Sequence, residues 1–161
     1  MTYASHYIVT TDRYGKSFID GLIKEIKDTY QYPERKPTIY STMGDGGLNR
    51  INKIVESGLI RHEVVVLLID GHKNRTLISR LSEILKNHPK RDKVKLLVFE
   101  SEIEDWILKS EKKNVSKARK SSAAIKEYKK YDLPDYASKI NLKILEKSDT
   151  TFKEFLGILD P

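Results

Sequence analysis

The stretch EVVVLLI, residues 63–69, is apolar after its first residue and rich in β-branched side chains. A run of this length and composition is typical of a strand buried on both faces of a parallel sheet. It is also the longest apolar run in the chain, far short of the roughly 20 residues that a membrane helix needs. The segment Asp70-Gly71-His72 follows it and is predicted to form the loop beyond the carboxyl end of this strand.

Three shorter strands are predicted around this one, over residues 6–10, 38–42 and 94–99. Apolar residues at helical spacing predict helices between the strands, and three more near 116–131, 135–146 and 151–159. Strands that alternate with helices imply right-handed βαβ units. The predicted fold class is therefore α/β, with a mainly parallel four-stranded sheet flanked by helices and a helical C-terminal third.

The length and composition of the chain limit the classes of protein to which it can belong. A chain of 161 residues fits one domain, and we expect an α/β core over residues 1–108 with a basic helical appendage over 109–161. The absence of cysteine excludes a disulfide framework, a thiolate zinc site and a cysteine nucleophile. The N-terminus lacks the layout of a signal peptide, so we expect a cytoplasmic protein.

Acidic residues follow three of the predicted strands. Asp12 follows the first, Asp70 the third, and Glu102 and Glu104 lie just beyond the fourth. Ligands bind beyond the carboxyl ends of parallel strands, and Mg²⁺ or Mn²⁺ prefers carboxylate oxygens. We expect Asp12, Asp70 and Glu104 to be catalytic, and Asp70, Glu102, Glu104 and His72 to ligate the metal. The alternative is that Asp70-Gly71 forms a plain turn and that the glutamates stabilise the first turn of a helix.

A basic segment spans residues 109–131. It holds nine lysines and arginines against two glutamates, a surplus equal to the formal charge of +7 on the whole chain. A localised basic segment favours a polyanionic partner such as nucleic acid, and a solvated lysine-rich helix is the alternative. The candidate nucleic-acid-binding residues are Lys112, Lys113, Lys117, Arg119, Lys120 and Lys126.

A glycine-rich turn precedes the second predicted helix. Backbone N–H groups of Gly44, Gly46 and Gly47 could hold an anion there. The turn lacks the lysine and hydroxyl of a P-loop, and the alternative is a tight turn into the helix.

The order of these features resembles the TOPRIM domain of topoisomerases, primases and several nucleases. The segment VVVLLIDGH, residues 64–72, is similar to its third-strand motif, with Asp70 on the first aspartate and His72 in place of the second. The segment YIVTTD, residues 7–12, is similar to its first-strand motif, where Thr10 or Thr11 takes the place of the family glutamate. The resemblance implies Mg²⁺-dependent chemistry on phosphodiesters.

A closer resemblance is to TOPRIM-like proteins associated with ATPases in anti-phage or mobile-element operons. Their Glu-Ile-Glu-x-Trp motif is matched by EIEDWIL, residues 102–108, and their C-terminal pattern by SDTTFKEFL, residues 148–156. This resemblance implies a metal-dependent, nuclease-like protein of a defence or mobile-element system, acting on nucleic acid with a partner ATPase. The altered glutamate and second aspartate keep an alternative open, a catalytically degenerate module that binds nucleic acid or the ATPase.

Overall fold

The computed structural model describes residues 5–32, 37–40 and 47–160, apart from the side chain of Tyr40. Its four strands form one sheet in which every neighbouring pair is parallel, in the order β2-β1-β3-β4. The strands are β1 His6–Val9, β2 Thr38–Tyr40, β3 Val64–Asp70 and β4 Val94–Phe99. The predicted α/β class and its parallel four-stranded sheet are confirmed.

Across the described ranges, six α-helices connect or follow these strands. They are α1 Arg13–Tyr30, α2 Gly47–Arg61, α3 Arg75–Lys86, α4 Asp105–Ser110, α5 Leu142–Ser148 and α6 Thr150–Leu159. Short 3-10 segments lie at Arg91–Lys93, Ser121–Ala124 and Lys130–Ser138. No helix in the described part of the chain is both long enough and apolar enough to cross a bilayer.

Successive side chains of β3 point to opposite faces of the sheet, as the period of a strand requires. Val66 and Leu68 pack with α1 and the C-terminal helices on one face. Val65 and Leu67 pack with α2 and α3 on the other. Both faces of β3 are therefore covered, which explains why its sequence is apolar at every position rather than at alternate ones.

The chain leaves β1 toward β2 through α1, and then crosses back to β3 on the opposite face through α2. The direction of winding therefore reverses between β1 and β3. At such a switch point the loops after the two strands diverge and leave a crevice at their carboxyl ends. Asp12 and Asp70 stand at this crevice.

The C-terminal third completes the core. Trp106 is fully buried and lies edge-on to the rings of Phe99 and Phe152, at centroid distances of 5.0 and 5.2 Å. Leu133 and Leu145 belong to the same cluster as Ile8 of the first strand. Residues 109–160 therefore share one hydrophobic core with the sheet.

The predictions of two of the three C-terminal helices are wrong. Residues 116–131 form turns and short 3-10 stretches rather than an α-helix. The backbone N–H groups of Ser121 and Ser122 donate to Ser101 Oγ and Glu102 Oε1, at 3.2 and 3.1 Å, instead of to carbonyl oxygens of a helix. Residues 135–146 do not form one helix either. Asn141 interrupts it, since its side chain accepts from the Ile144 N–H at 3.1 Å and begins α5. The helix predicted near 151–159 is confirmed as α6.

Gly71 allows the loop after β3 to pass against the end of β4. A Cβ atom at this position would lie 2.3 Å from the Phe99 carbonyl oxygen and 2.9 Å from that of Glu100. We predict that Gly71→Ala lowers the free energy of unfolding by about 1–3 kcal/mol, as overpacking does. Gly157→Ala is the control, because no atom lies within 4 Å of its Cβ and alanine in a helix should stabilise by about 0.5–1 kcal/mol. Urea denaturation of both variants checks this, and equal effects would contradict it.

Candidate active site at the switch point

Four carboxylates and one ammonium group come together at the switch point. We call Asp12, Asp70, Glu102, Glu104 and Lys130 the acidic edge site. The carboxylates come from the loop after β1, the end of β3 and the turn before α4, while Lys130 begins the last 3-10 segment. Asp12 and Glu104 both pair with Lys130, and the charges of Glu104 and Glu102 act on Asp70.

Lys130 lies at the centre of the acidic edge site. Its Nζ donates to both Glu104 carboxylate oxygens, at 3.0 and 3.1 Å, and lies 3.7 Å from Asp12 Oδ2. Burial lowers the pKa of Lys130, but the charges of Glu104 and Asp12 outweigh burial and leave that pKa raised. The group is therefore a stable cation at neutral pH.

Glu104 is fully buried. Burial raises the pKa of its carboxyl, and the charge and hydrogen bonds of Lys130 offset only part of that rise. The Tyr128 hydroxyl also donates to Glu104 Oε2 at 3.3 Å. The carboxylate is therefore held by two side chains that lie more than twenty residues further along the chain.

Asp70 is the carboxyl with the fewest partners at this site. Its Oδ1 accepts from the Ile103 N–H at 3.0 Å, and no hydrogen bond from the described residues reaches Oδ2. Burial and then the charge of Glu104 raise the pKa of Asp70 to about 7, with a smaller contribution from Glu102. Asp70 can thus hold or release a proton near neutral pH.

The other two carboxylates have structural bonds as well. Asp12 is the N-cap of α1, where its Oδ1 accepts from the Gly15 N–H at 2.8 Å. Glu102 Oε1 accepts from the Ser122 N–H and hydroxyl, at 3.1 and 2.7 Å. Both still act on the site electrostatically, since the charge of Glu102 raises the pKa of Asp70 and the charge of Asp12 raises that of Lys130.

Asp105, which the sequence analysis passed over, fixes the basic segment to the sheet. This buried carboxylate accepts from the Ser101 and Glu102 N–H groups, at 2.9 and 3.1 Å, and from the Ser121 hydroxyl. The Ser101 hydroxyl in turn donates to the Arg119 carbonyl oxygen at 2.7 Å. These bonds determine where the segment leaves α4 and returns to the acidic edge site.

His72, predicted as a metal ligand, lies in the wall of a neighbouring groove of about 830 Å³ that no member of the acidic edge site lines. Its backbone N–H donates to the Ser101 carbonyl oxygen at 3.0 Å, and its ring Nδ1 lies 3.3 Å from the Lys117 carbonyl oxygen, which can only accept. His72 therefore joins the loop after β3 to the basic segment.

The six predicted nucleic-acid-binding residues are all exposed. Lys113 pairs with Glu111 at 2.9 Å, and Lys117 lines the groove. In the predicted anion-binding turn, Gly44 and Gly46 lie outside the described residues. Gly47 is the first residue of α2 and has a φ of +63°, a left-handed conformation that favours glycine.

Lys130, a member of the acidic edge site, and Tyr128, which bonds to Glu104 of that site, were not predicted as site residues from the sequence. Both stand in the basic segment, where nothing local distinguishes Lys130 from its neighbour Lys129. Only the folded structure brings Lys130 into contact with Glu104, which lies 26 residues earlier in the chain.

Comparison of the chain with protein-family models, with curated proteins and with solved structures found no match.

We predict that Lys130→Met destabilises the protein by about 3 kcal/mol, because it leaves the buried Glu104 carboxylate without its cation. Adding Glu104→Gln should restore much of the loss, since a neutral amide needs no counter-charge. Lys129→Met, at an exposed neighbour, is the matched control. A double-mutant cycle in urea measures the coupling, and additive effects would contradict the pairing.

The raised pKa of Asp70 predicts a pH dependence of stability. Between the ordinary aspartate pKa and about 7, the folded state keeps a proton that the unfolded state releases, so stability should fall as pH rises through this window. Between pH 5 and pH 8 this loss is about 3 kcal/mol.

Asp70→Asn should remove most of that loss, because the amide is neutral throughout, whereas Asp20→Asn at an exposed position of α1 should keep it. Urea denaturation at pH 5 and pH 8, in EDTA, measures the difference. If wild type and Asp70→Asn lose the same stability between pH 5 and pH 8, the raised pKa of Asp70 is contradicted.

Proposed function

We propose that this chain is a metal-dependent, nuclease-like protein that processes phosphodiesters of nucleic acid at the acidic edge site. The observation that carries the proposal is the charge balance of the site, where Asp12 and Glu104 both pair with Lys130 and the charges of Glu104 and Glu102 raise the pKa of Asp70. A surplus of buried negative charge is costly, and either protons or a cation can compensate it. The raised pKa of Asp70 fits this account.

The donor chemistry fits Mg²⁺ or Mn²⁺. All the candidate ligands are carboxylate oxygens, and Asp70 Oδ2 accepts no hydrogen bond from the described residues. Asp70, Glu102 and Glu104 are the residues that would hold the ion. Among the residues that the structure describes, no three histidine, aspartate or glutamate side chains are already grouped to hold a metal, so water and substrate phosphate would complete the coordination.

A bound divalent ion would supply activation of water and stabilisation of the attacking and leaving oxygens. Lys130 would contribute a fixed positive charge for the phosphate as negative charge develops on it. Asp12 and Glu104 hold that ammonium from two sides, so they would act as positioning groups for Lys130. The exposed cations of residues 112–126 would attract the nucleic-acid backbone.

A second candidate function is a non-catalytic module that binds nucleic acid or a partner ATPase. It is favoured by the bonds that already occupy the carboxylates, since both oxygens of Glu104 bond to Lys130 and one of Glu102 bonds to Ser122. In this alternative Lys130 is the permanent counter-ion of the acids. The exposed basic segment serves either function.

A metal titration followed by a cleavage assay separates the two functions. If the site takes Mg²⁺ or Mn²⁺, a concentration of 100 times Kd should stabilise the fold by about 2.7 kcal/mol and raise Tm by about 5–10 °C. The ion should also permit cleavage of a mixture of single- and double-stranded DNA and RNA.

Asp70→Asn should abolish both the Tm shift and the cleavage, whereas Asp20→Asn should leave both intact. If the metal changes neither the Tm of the wild type nor its ability to cleave nucleic acid, the nuclease proposal is overturned in favour of the binding module. Cleavage that survives in Asp70→Asn would place the chemistry elsewhere.

A further inference from the structure

The groove beside the acidic edge site is a separate concavity. It lies on the β4 side of Asp70, between the loop after β3, the start of α6 and the basic segment, and has a volume of about 830 Å³. None of the five members of the acidic edge site lines it. Its volume lies within the range of about 300–1,000 Å³ that is typical of pockets for small ligands.

Four cations line this groove. Lys109 is paired with Asp149 at 3.8 Å, and the other three come from two distant parts of the chain. Lys73 and Arg75 come from the loop after β3 and the start of α3, and Lys117 comes from the basic segment. All three are exposed, and none makes an ion pair with a carboxylate of the described residues. Cations that share one concavity repel one another, so an anionic ligand would relieve their repulsion.

The acids that also line the groove are mostly engaged. Asp105 holds the N–H groups of residues 101 and 102 and the Ser121 hydroxyl. Asp149 caps α6 through the Thr151 N–H at 2.8 Å and lies 3.8 Å from Lys109 Nζ. Glu100 is the exposed exception. The unpaired charge that faces a ligand is therefore predominantly positive.

The wall of the groove also carries hydroxyl groups, which can donate to phosphate oxygens. They belong to Thr76, Ser79, Thr150 and Thr151. The contact of His72 Nδ1 with the Lys117 carbonyl oxygen, at 3.3 Å, joins the two cation-bearing segments. The groove thus combines unpaired cations with neutral hydrogen-bond donors. Sites that bind phosphate esters use both kinds of group.

We propose that this groove binds the phosphate of a nucleotide, either as a free mononucleotide or as part of a nucleic-acid strand that continues to the acidic edge site. Gly71 and His72 alone separate Asp70 from Lys73 in the sequence, so one strand can contact both places. The strand-bound form rests on the proposed function, whereas binding of the phosphate in the groove does not.

The test measures binding in EDTA, so that its outcome does not depend on cleavage. The probes are AMP and a fluorescent single-stranded ten-nucleotide DNA, titrated at several salt concentrations. The groove variant carries Lys73→Gln, Arg75→Gln and Lys117→Gln. Its matched control carries Lys86→Gln, Lys90→Gln and Arg91→Gln, which remove the same charge from exposed positions near the amino end of β4.

We expect the groove variant to bind the DNA more weakly, with a log–log salt slope shallower by about 2, as the loss of three phosphate contacts to a single strand implies. The slope of the control should match that of the wild type. Glu100→Gln should strengthen binding, because it removes the one exposed carboxylate from the groove. Thermal melts confirm that the variants are folded.

One outcome is that the groove variant loses AMP binding while both triple variants bind DNA equally well. This outcome would support the phosphate site and identify a free nucleotide as its ligand. Loss of DNA binding alone would identify the strand. Groove and control variants that bind both probes equally well would overturn the proposal. The nuclease proposal could survive that result, since cleavage is measured separately with metal.

Discussion

The ammonium group of Lys130 is the interaction on which the site depends. It bonds to both oxygens of the fully buried Glu104 and lies within ion-pair distance of Asp12. Without this cation the crevice between β1 and β3 would hold four carboxylates in a setting that raises the pKa of Asp70 and Glu104. One positive charge therefore makes it possible to place several acids at the switch point of a parallel sheet.

That requirement explains why the C-terminal third is part of the core. To bring Lys130 to Glu104, the chain must leave α4 and return to the site 26 residues after Glu104. The buried Asp105 and its bonds to residues 101, 102 and 121 fix the first part of that path. Leu133 and the aromatic side chains of α6 then bury the last part beside Trp106. Hydrophobic packing and the ion pair support each other, since each holds the other's residues in place.

The loop after β3 serves two neighbouring regions with opposite charge. Asp70 faces the acidic edge site, whereas Lys73 and Arg75 line the groove on the β4 side. The close passage of Gly71 against the Phe99 carbonyl oxygen lets so short a segment turn from one region to the other. A polyanion across this edge would meet cations in the groove and, at the acidic edge site, carboxylates that need a cation. This division of charge is the one that the proposed metal-dependent processing of a phosphate backbone would require.

Local patterns in the sequence were enough to predict the sheet. The apolar run ending at Ile69, and the helices between the strands, fix the α/β class and put Asp12, Asp70, Glu102 and Glu104 near one edge. These features depend on neighbouring residues and on the general handedness of βαβ units, so a single sequence carries them. The helix expected over residues 116–131 was wrong, because the backbone N–H groups of Ser121 and Ser122 donate to the side chains of Ser101 and Glu102 rather than to carbonyl oxygens of a helix.

Only the tertiary structure decided that Lys130 belongs to the acidic edge site and that His72 lines the neighbouring groove. Lys130 and Lys129 are equivalent in the sequence, and His72 is two residues from Asp70 yet contacts Lys117. Contacts between residues far apart in the chain depend on how the whole core packs, and no local spacing encodes them.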